Sequence, residues 1–149
     1  MDRNIPLIST RSKGPLGLAH LPRLWLKMRL AGKSVLAEGY RAGHGGFDGA
    51  LLEALGIEPD AAAGLVAEAQ PSYLEFEDWI RDHARAESLT AESIAAINDR
   101  ILGFPKPEPG RTEMLQALGL PVDDKPWLGS DINDLDDWNS FHLMLREGA

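Results

Sequence analysis

Glycine and proline cut this chain into short helical stretches, and that punctuation constrains its fold more than any other feature. Of its 149 residues, 15 are glycine and 10 are proline. One stop signal is written twice, at Leu55-Gly56-Ile57 followed by Pro59, and at Leu118-Gly119-Leu120-Pro121. Glycine takes the left-handed conformation that closes a helix, the next apolar residue packs back, and proline forbids continuation. The flanking sequences do not match, so this is one stop used twice and not a duplicated domain. Since no linker-like tract divides the chain, residues 1–149 are expected to form a single helical domain.

Between the breaks the pattern is helical. Residues 1–20 read as irregular, because Pro6, Gly14, Pro15 and Gly17 prevent a sustained repeat. Pro22 suits the first turn of a helix, where its missing N–H is unpaired anyway. From there Leu21, Leu24, Trp25 and Met28 form one apolar face and Leu26 and Leu30 a second, which predicts a helix placed centrally. A second helix is expected from Phe47, capped by Asp48, to the stop at Gly56, and an alanine-rich third from Pro59 to Ala69. Ser72-Tyr-Leu-Glu75 is a capping box opening a face of Tyr73, Phe76, Trp79, Ile80 and His83. Thr90 caps a helix with Ile94, Ile97, Ile101 and Leu102 inward, ending at Gly103. A proline-rich connection leads to a short helix over 112–118, and a last helix from Ile132 carries Leu135, Trp138, Phe141, His142 and Leu145 on its apolar side. Only residues 34–41 could form a short strand or hairpin. The expectation is an all-α, compact bundle of about six to seven short helices.

Composition narrows the function. The chain is 44% hydrophobic and 26% charged with no cysteine, which excludes thiolate catalysis, Cys-ligated metal and a disulfide framework. No apolar run approaches the roughly 20 residues that cross a bilayer. The N-terminal Met1 to Pro6 lacks the apolar core of a secretory signal, so a cytoplasmic setting is expected and no membrane partner. The net charge of −8 argues against nucleic-acid binding. That charge is uneven: residues 1–46 hold eight basic and two acidic side chains, +6, which leaves −14 for the remainder. A basic segment of this kind can hold a small anion or dock on an acidic surface. Alternatively, the two halves neutralise each other in the fold.

Several short landmarks recur in order: Leu18-Ala-His-Leu-Pro-Arg23 with Lys27-Met-Arg29 and Ala31-Gly32, then Gly46-Phe-Asp48 with Leu51-Leu52 and Leu55-Gly-Ile57, then Trp79 followed by Ile97-Asn98. Together they resemble a bacterial family catalogued as domain of unknown function 5069. The resemblance covers most of residues 14–145. It departs at Met28, where members of that family usually have alanine, and in the C-terminal tryptophan-containing stretch. It implies a compact, single-domain bacterial helical protein and carries no catalytic residue across.

Gly43-His44-Gly45-Gly46-Phe47-Asp48 leads directly into a helix, and exposed N–H groups reached through glycines make an anion cradle. With Arg23, Lys27 and Arg41 as counter-charges, the expected ligand-binding set is Arg23, Lys27, Arg41, Gly45, Gly46 and Asp48. The competing reading is a plain turn: no phosphate-loop signature is present, and Asp48 at the cap would repel an anion. The leading expectation is a helical module that binds a small anionic molecule or a protein partner. The alternative is an enzyme acting on a phosphorylated or carboxylated metabolite, with His44 or His83 as acid–base and Asp48 orienting it. His83, Asn98 and His142 sit on apolar faces, either lining a cavity or, more commonly, as satisfied core polar groups. Glu77, Asp78, Arg81, Asp82 and Arg85 read as a solvated arc, with Glu77→Arg81 a favourable i, i+4 pair. The aspartates from Asp123 to Asp137 fail the calcium-loop pattern, Asp131 and Asp134 reading instead as helix caps, and the four histidines lack metal-ligand spacing. No metal and no cofactor is expected. Oligomeric state is not legible.

Overall fold

The computed structural model describes residues 3–148. Within them are seven α-helices: α1 (Leu21–Gly32), α2 (Gly46–Leu55), α3 (Pro59–Ala69), α4 (Tyr73–His83), α5 (Ala91–Leu102), α6 (Gly110–Ala117) and α7 (Gly129–Gly148). A 3-10 turn, Ala86–Leu89, joins α4 to α5. The fold is an all-α bundle, as the punctuation predicts. Residues 34–41 form no strand; they contribute one bridge, Asn4 to Leu36, in which the Asn4 N–H donates to the Val35 carbonyl at 2.7 Å. No helix among the described residues is long and apolar enough to cross a membrane.

The core is built where apolar stripes converge. Leu21, Leu24 and Met28 of α1 meet Leu51, Leu52 and Leu55 of α2, Ala62 and Val66 of α3, Phe76 and Ile80 of α4, and Ile97 and Ile101 of α5. Close approach of α1 to α3 depends on Gly32, where a Cβ would lie 3.3 Å from the Ala67 backbone. The Ser72 capping box is formed in both directions, at 3.2 and 3.0 Å, and Thr90 caps α5. Gly56 closes α2 with φ 73°, so the stop at Leu55-Gly56-Ile57 works as read.

Three elements differ from the sequence reading. Helix α2 starts at Gly46 with Gly45 as its cap, and Asp48 does not cap it. The carboxylate turns inward because buried donors outside the helix claim it. In α4, Glu77 is buried and not part of a solvated arc. It accepts from the Tyr73 hydroxyl at 2.8 Å and from Arg81 at 2.9 Å, while Gly14 packs on it so closely that a Cβ there would overlap Tyr73 and Glu77. In the same helix His83 faces solvent, stacked on Trp79 with ring centroids 4.2 Å apart.

Helix α7 is the largest departure. It begins at Gly129, before Ile132, and buries Ile132, Ser130 and Asp137. The stripe read as its core side is outward: Trp138 is 62% exposed, Leu145 57%, and His142 is exposed. Arg11 of the N-terminal segment and Arg23 of α1 hold this helix through Asp131, Asp134 and Asp137, while Trp138 and Leu145, further along the same face, stay exposed.

Candidate functional site

Three of the eight cations of the first 46 residues, Arg11, Arg23 and Lys27, form ion pairs within the molecule. Arg23, on the buried face of α1, is 4% exposed. Its guanidinium forms a two-pronged pair with Asp137 of α7, Nη1 to Oδ2 and Nη2 to Oδ1 at 3.1 Å. It also donates to the carbonyls of Pro6 and Ile8 at 2.8 and 2.9 Å, and so clamps the N-terminal segment between α1 and α7. The Tyr40 hydroxyl donates to Asp137 Oδ1 at 2.9 Å. Burial pushes the Tyr40 phenol well above its ordinary range, and neighbouring carboxylates add to this. Further out, Arg11 bridges Asp131 and Asp134. The expectation that Asp131 and Asp134 serve as helix caps holds only for Asp131, whose Oδ2 accepts weakly from Leu128 N–H at 3.4 Å.

Lys27 is engaged as well. Its ammonium lies 2.9 Å from Asp48 Oδ2, which also accepts the Gly43 N–H at 2.9 Å. On the other oxygen, Oδ1, sits His20 Nε2 at 2.6 Å, and His20 Nδ1 is 3.1 Å from the Thr10 hydroxyl. The geometry assigns the Nε2–H tautomer, with Thr10 donating to Nδ1. Burial lowers the imidazole below its usual 6.5 despite the carboxylate, and Lys27 and Arg23 push the same way. His20 is therefore neutral at pH 7, and its contact with Asp48 is a hydrogen bond, not an ion pair. Burial alone would raise Asp48; the hydrogen bond from His20 and the Lys27 ammonium outweigh it and hold the carboxyl at about 2.

Thr10, His20 and Asp48 are arranged in the order of a hydroxyl–imidazole–carboxylate relay. All three are at most 2% exposed, so neither end meets solvent or substrate. What the array does is fasten the N-terminal segment, the loop between α1 and α2, and α2 itself to the start of α1, where His20 holds the left-handed φ of 74°. His20 and Thr10 escaped sequence reasoning because nothing local links residues 10, 20 and 48; the positive φ just before Pro22 is visible only in coordinates.

The sequence-predicted set thus separates. Arg23 and Asp48 are buried and Lys27 is partly buried; Arg23 is paired with Asp137, and Lys27 with Asp48, which corrects the expectation that Arg23 and Lys27 stand as free counter-charges to a ligand. Each was drawn inward by an oppositely charged partner far along the chain. Arg41, Gly45 and Gly46 remain exposed at the entry to α2, with no carboxylate paired to Arg41 among the described residues. His44 is exposed and 3.1 Å from the exposed Asp60, and His83 lies elsewhere on α4, so the two histidines and Asp48 do not meet. Asn98 is a satisfied bridge, donating to Gly17 carbonyl and accepting from Ala19 N–H, both at 2.8 Å. No group of three or more His, Cys, Asp or Glu among the described residues could hold a metal ion.

Two open grooves mark the surface. One, about 300 Å³, is bounded by Lys106, Arg111, Asp123 and Trp127, and its charges are internally matched. Arg111 donates to the Lys125 carbonyl at 2.7 Å, and the Lys125 ammonium sits 4.3 Å above the Trp127 ring. The other, about 420 Å³, runs along α7 and is lined by Leu7, Ser9, Asp134, Asp137, Trp138 and Phe141. The α7 residues are spaced i, i+3, i+4, i+7 and so share one face. Leu7, 48% exposed, forms the opposite wall beside the exposed Trp138. An exposed apolar face beside a groove of ligand-site size is the surface on this molecule best suited to contact. A scan against protein-family models and a search of curated proteins found no match to the chain.

Proposed function

We propose that this chain is a non-enzymatic helical module that binds a protein partner through the outer face of α7, with the cytoplasm as its setting and the resembled bacterial family as its kin. The observation that carries the reading is Trp138, a large aromatic 62% exposed on a helix already held by the carboxylates that precede it. Tryptophan is enriched among the anchors that dominate interface energies, and leaving one in water beside Leu7 and Leu145 has no folding rationale. A small anion bound by α1 loses its counter-charges to Asp137 and Asp48. The histidine acid–base reading draws no support from His44 and His83, which stand exposed and apart.

The test is a photo-reactive benzoylphenylalanine placed at position 138, with position 74 as the control. Leu74 is an equally exposed apolar residue, 59%, on α4. Irradiation in cells is expected to give one discrete heavier adduct from 138 and none from 74. Identical adduct patterns from both positions, or an adduct of twice the chain mass alone, would contradict the reading.

A further inference from the structure

The α7 groove is not uniformly apolar, and its polar end says what kind of partner it suits. Asp131, Asp134 and Asp137 occupy the N-terminal part of the face; Trp138, Phe141 and Leu145 occupy the rest. Two guanidiniums meet the three carboxylates: Arg23 is committed to Asp137, and Arg11 is shared between Asp131 and Asp134. Both oxygens of Asp137 are taken, by Arg23 and Tyr40. Asp134 is different. Its Oδ2 accepts from Arg11, while Oδ1 receives no donor from any described residue, although the side chain is only 13% exposed. A carboxylate oxygen with no protein donor, on a largely covered side chain beside an open indole face, is a receptor for a cation carried on a hydrocarbon stem.

Resting on the partner-binding reading above, we propose that the groove receives an arginine side chain from an apolar segment of the partner protein. The guanidinium donates to Asp134 Oδ1 and lies against the Trp138 indole, while the partner's flanking apolar residues cover Phe141 and Leu145. Charge favours this occupant over a second copy of the chain. Each copy carries −8, and a basic partner is steered toward an acidic molecule over long range. Arginine suits the site better than lysine, because its planar fork can bond a carboxylate edge and stack on an aromatic ring at once.

The experiment uses the full chain and three synthetic amphipathic peptides with one leucine face. Their polar face carries arginine, its uncharged isostere citrulline, or glutamate. Calorimetric titration should show the arginine peptide binding at least about tenfold more tightly than the citrulline peptide, a ratio that one good charged contact supplies, and the glutamate peptide not binding. Asp134→Asn should abolish that preference while leaving the citrulline peptide unchanged. Trp138→Ala should weaken both peptides. Circular dichroism melting checks that each variant is folded; Trp138 is exposed, and Asp134→Asn keeps the side-chain shape while Asp131 still holds Arg11. Equal binding of arginine and citrulline peptides overturns the arginine anchor but leaves the partner-binding reading standing. Binding of none, or concentration-dependent dimerisation abolished by Trp138→Ala, overturns the proposal by giving the face to no segment or to a second copy.

Discussion

At the scale of single residues, two of the three basic side chains that look like ligand contacts, Arg23 and Lys27, are fasteners. Removing one partner of a buried pair leaves the other charge uncompensated, at a cost of about 3–5 kcal/mol. Arg23→Ala should lose that much in denaturant unfolding, since it strands Asp137 and frees the Pro6 and Ile8 carbonyls together. A variant as stable as the parent would show that the clamp is idle. His20 supplies a second prediction, in pH. Burial makes its imidazole harder to protonate in the fold than in the unfolded chain, so below 6.5 the unfolded chain binds more proton than the native state. Stability therefore falls on acidification from pH 7 to 5, by at most about 1.4 kcal/mol per pH unit for one proton. Asp48 acts in the same direction lower down: its contribution is present above 3.8 and is lost as the pH falls toward 2. His20→Asn, which tolerates the positive φ, should flatten the dependence of melting temperature between pH 7 and 5. An unchanged slope would assign it to other groups.

At the scale of elements, periodicity was a good guide wherever an apolar stripe had another stripe to meet. Helices α1 to α5 were legible because Leu24, Leu51, Val66, Phe76, Ile80 and Ile97 converge on one core. It misled in α7, where the stripe through Trp138 and Leu145 has the correct spacing but the helix is held by Asp137, Asp131 and Asp134 instead. Spacing reports which residues share a face; it does not report which face is covered. The Thr10–His20–Asp48–Lys27 chain was illegible for a related reason. Its members lie up to 38 positions apart, and only the loop geometry brings them together. The energetic consequence is measurable. Ile132→Ala, at 0% exposure, should cost about 2–5 kcal/mol. Trp138→Ala, on the same helix, should stay within about 0.5 kcal/mol of the parent. A tryptophan deletion as costly as the isoleucine deletion would place the outer face in the fold's own core.

At the scale of the whole molecule, the +6 and −14 halves are complementary, and each ion pair from Arg11, Arg23 and Lys27 crosses between them. Three of the cations that suggested an anion site thus help to assemble the chain, and the proposed binding surface has the opposite kind of chemistry: apolar, with a carboxylate to meet a cation. The most direct test is one amide NMR sample titrated first with inorganic phosphate and then with the arginine–leucine peptide. Peptide addition should move resonances of α7 around Asp134 and Trp138 and of Leu7, while phosphate leaves residues 41–48 and α1 where they were. Saturable phosphate shifts at residues 41–48, with α7 silent to the peptide, would contradict the account.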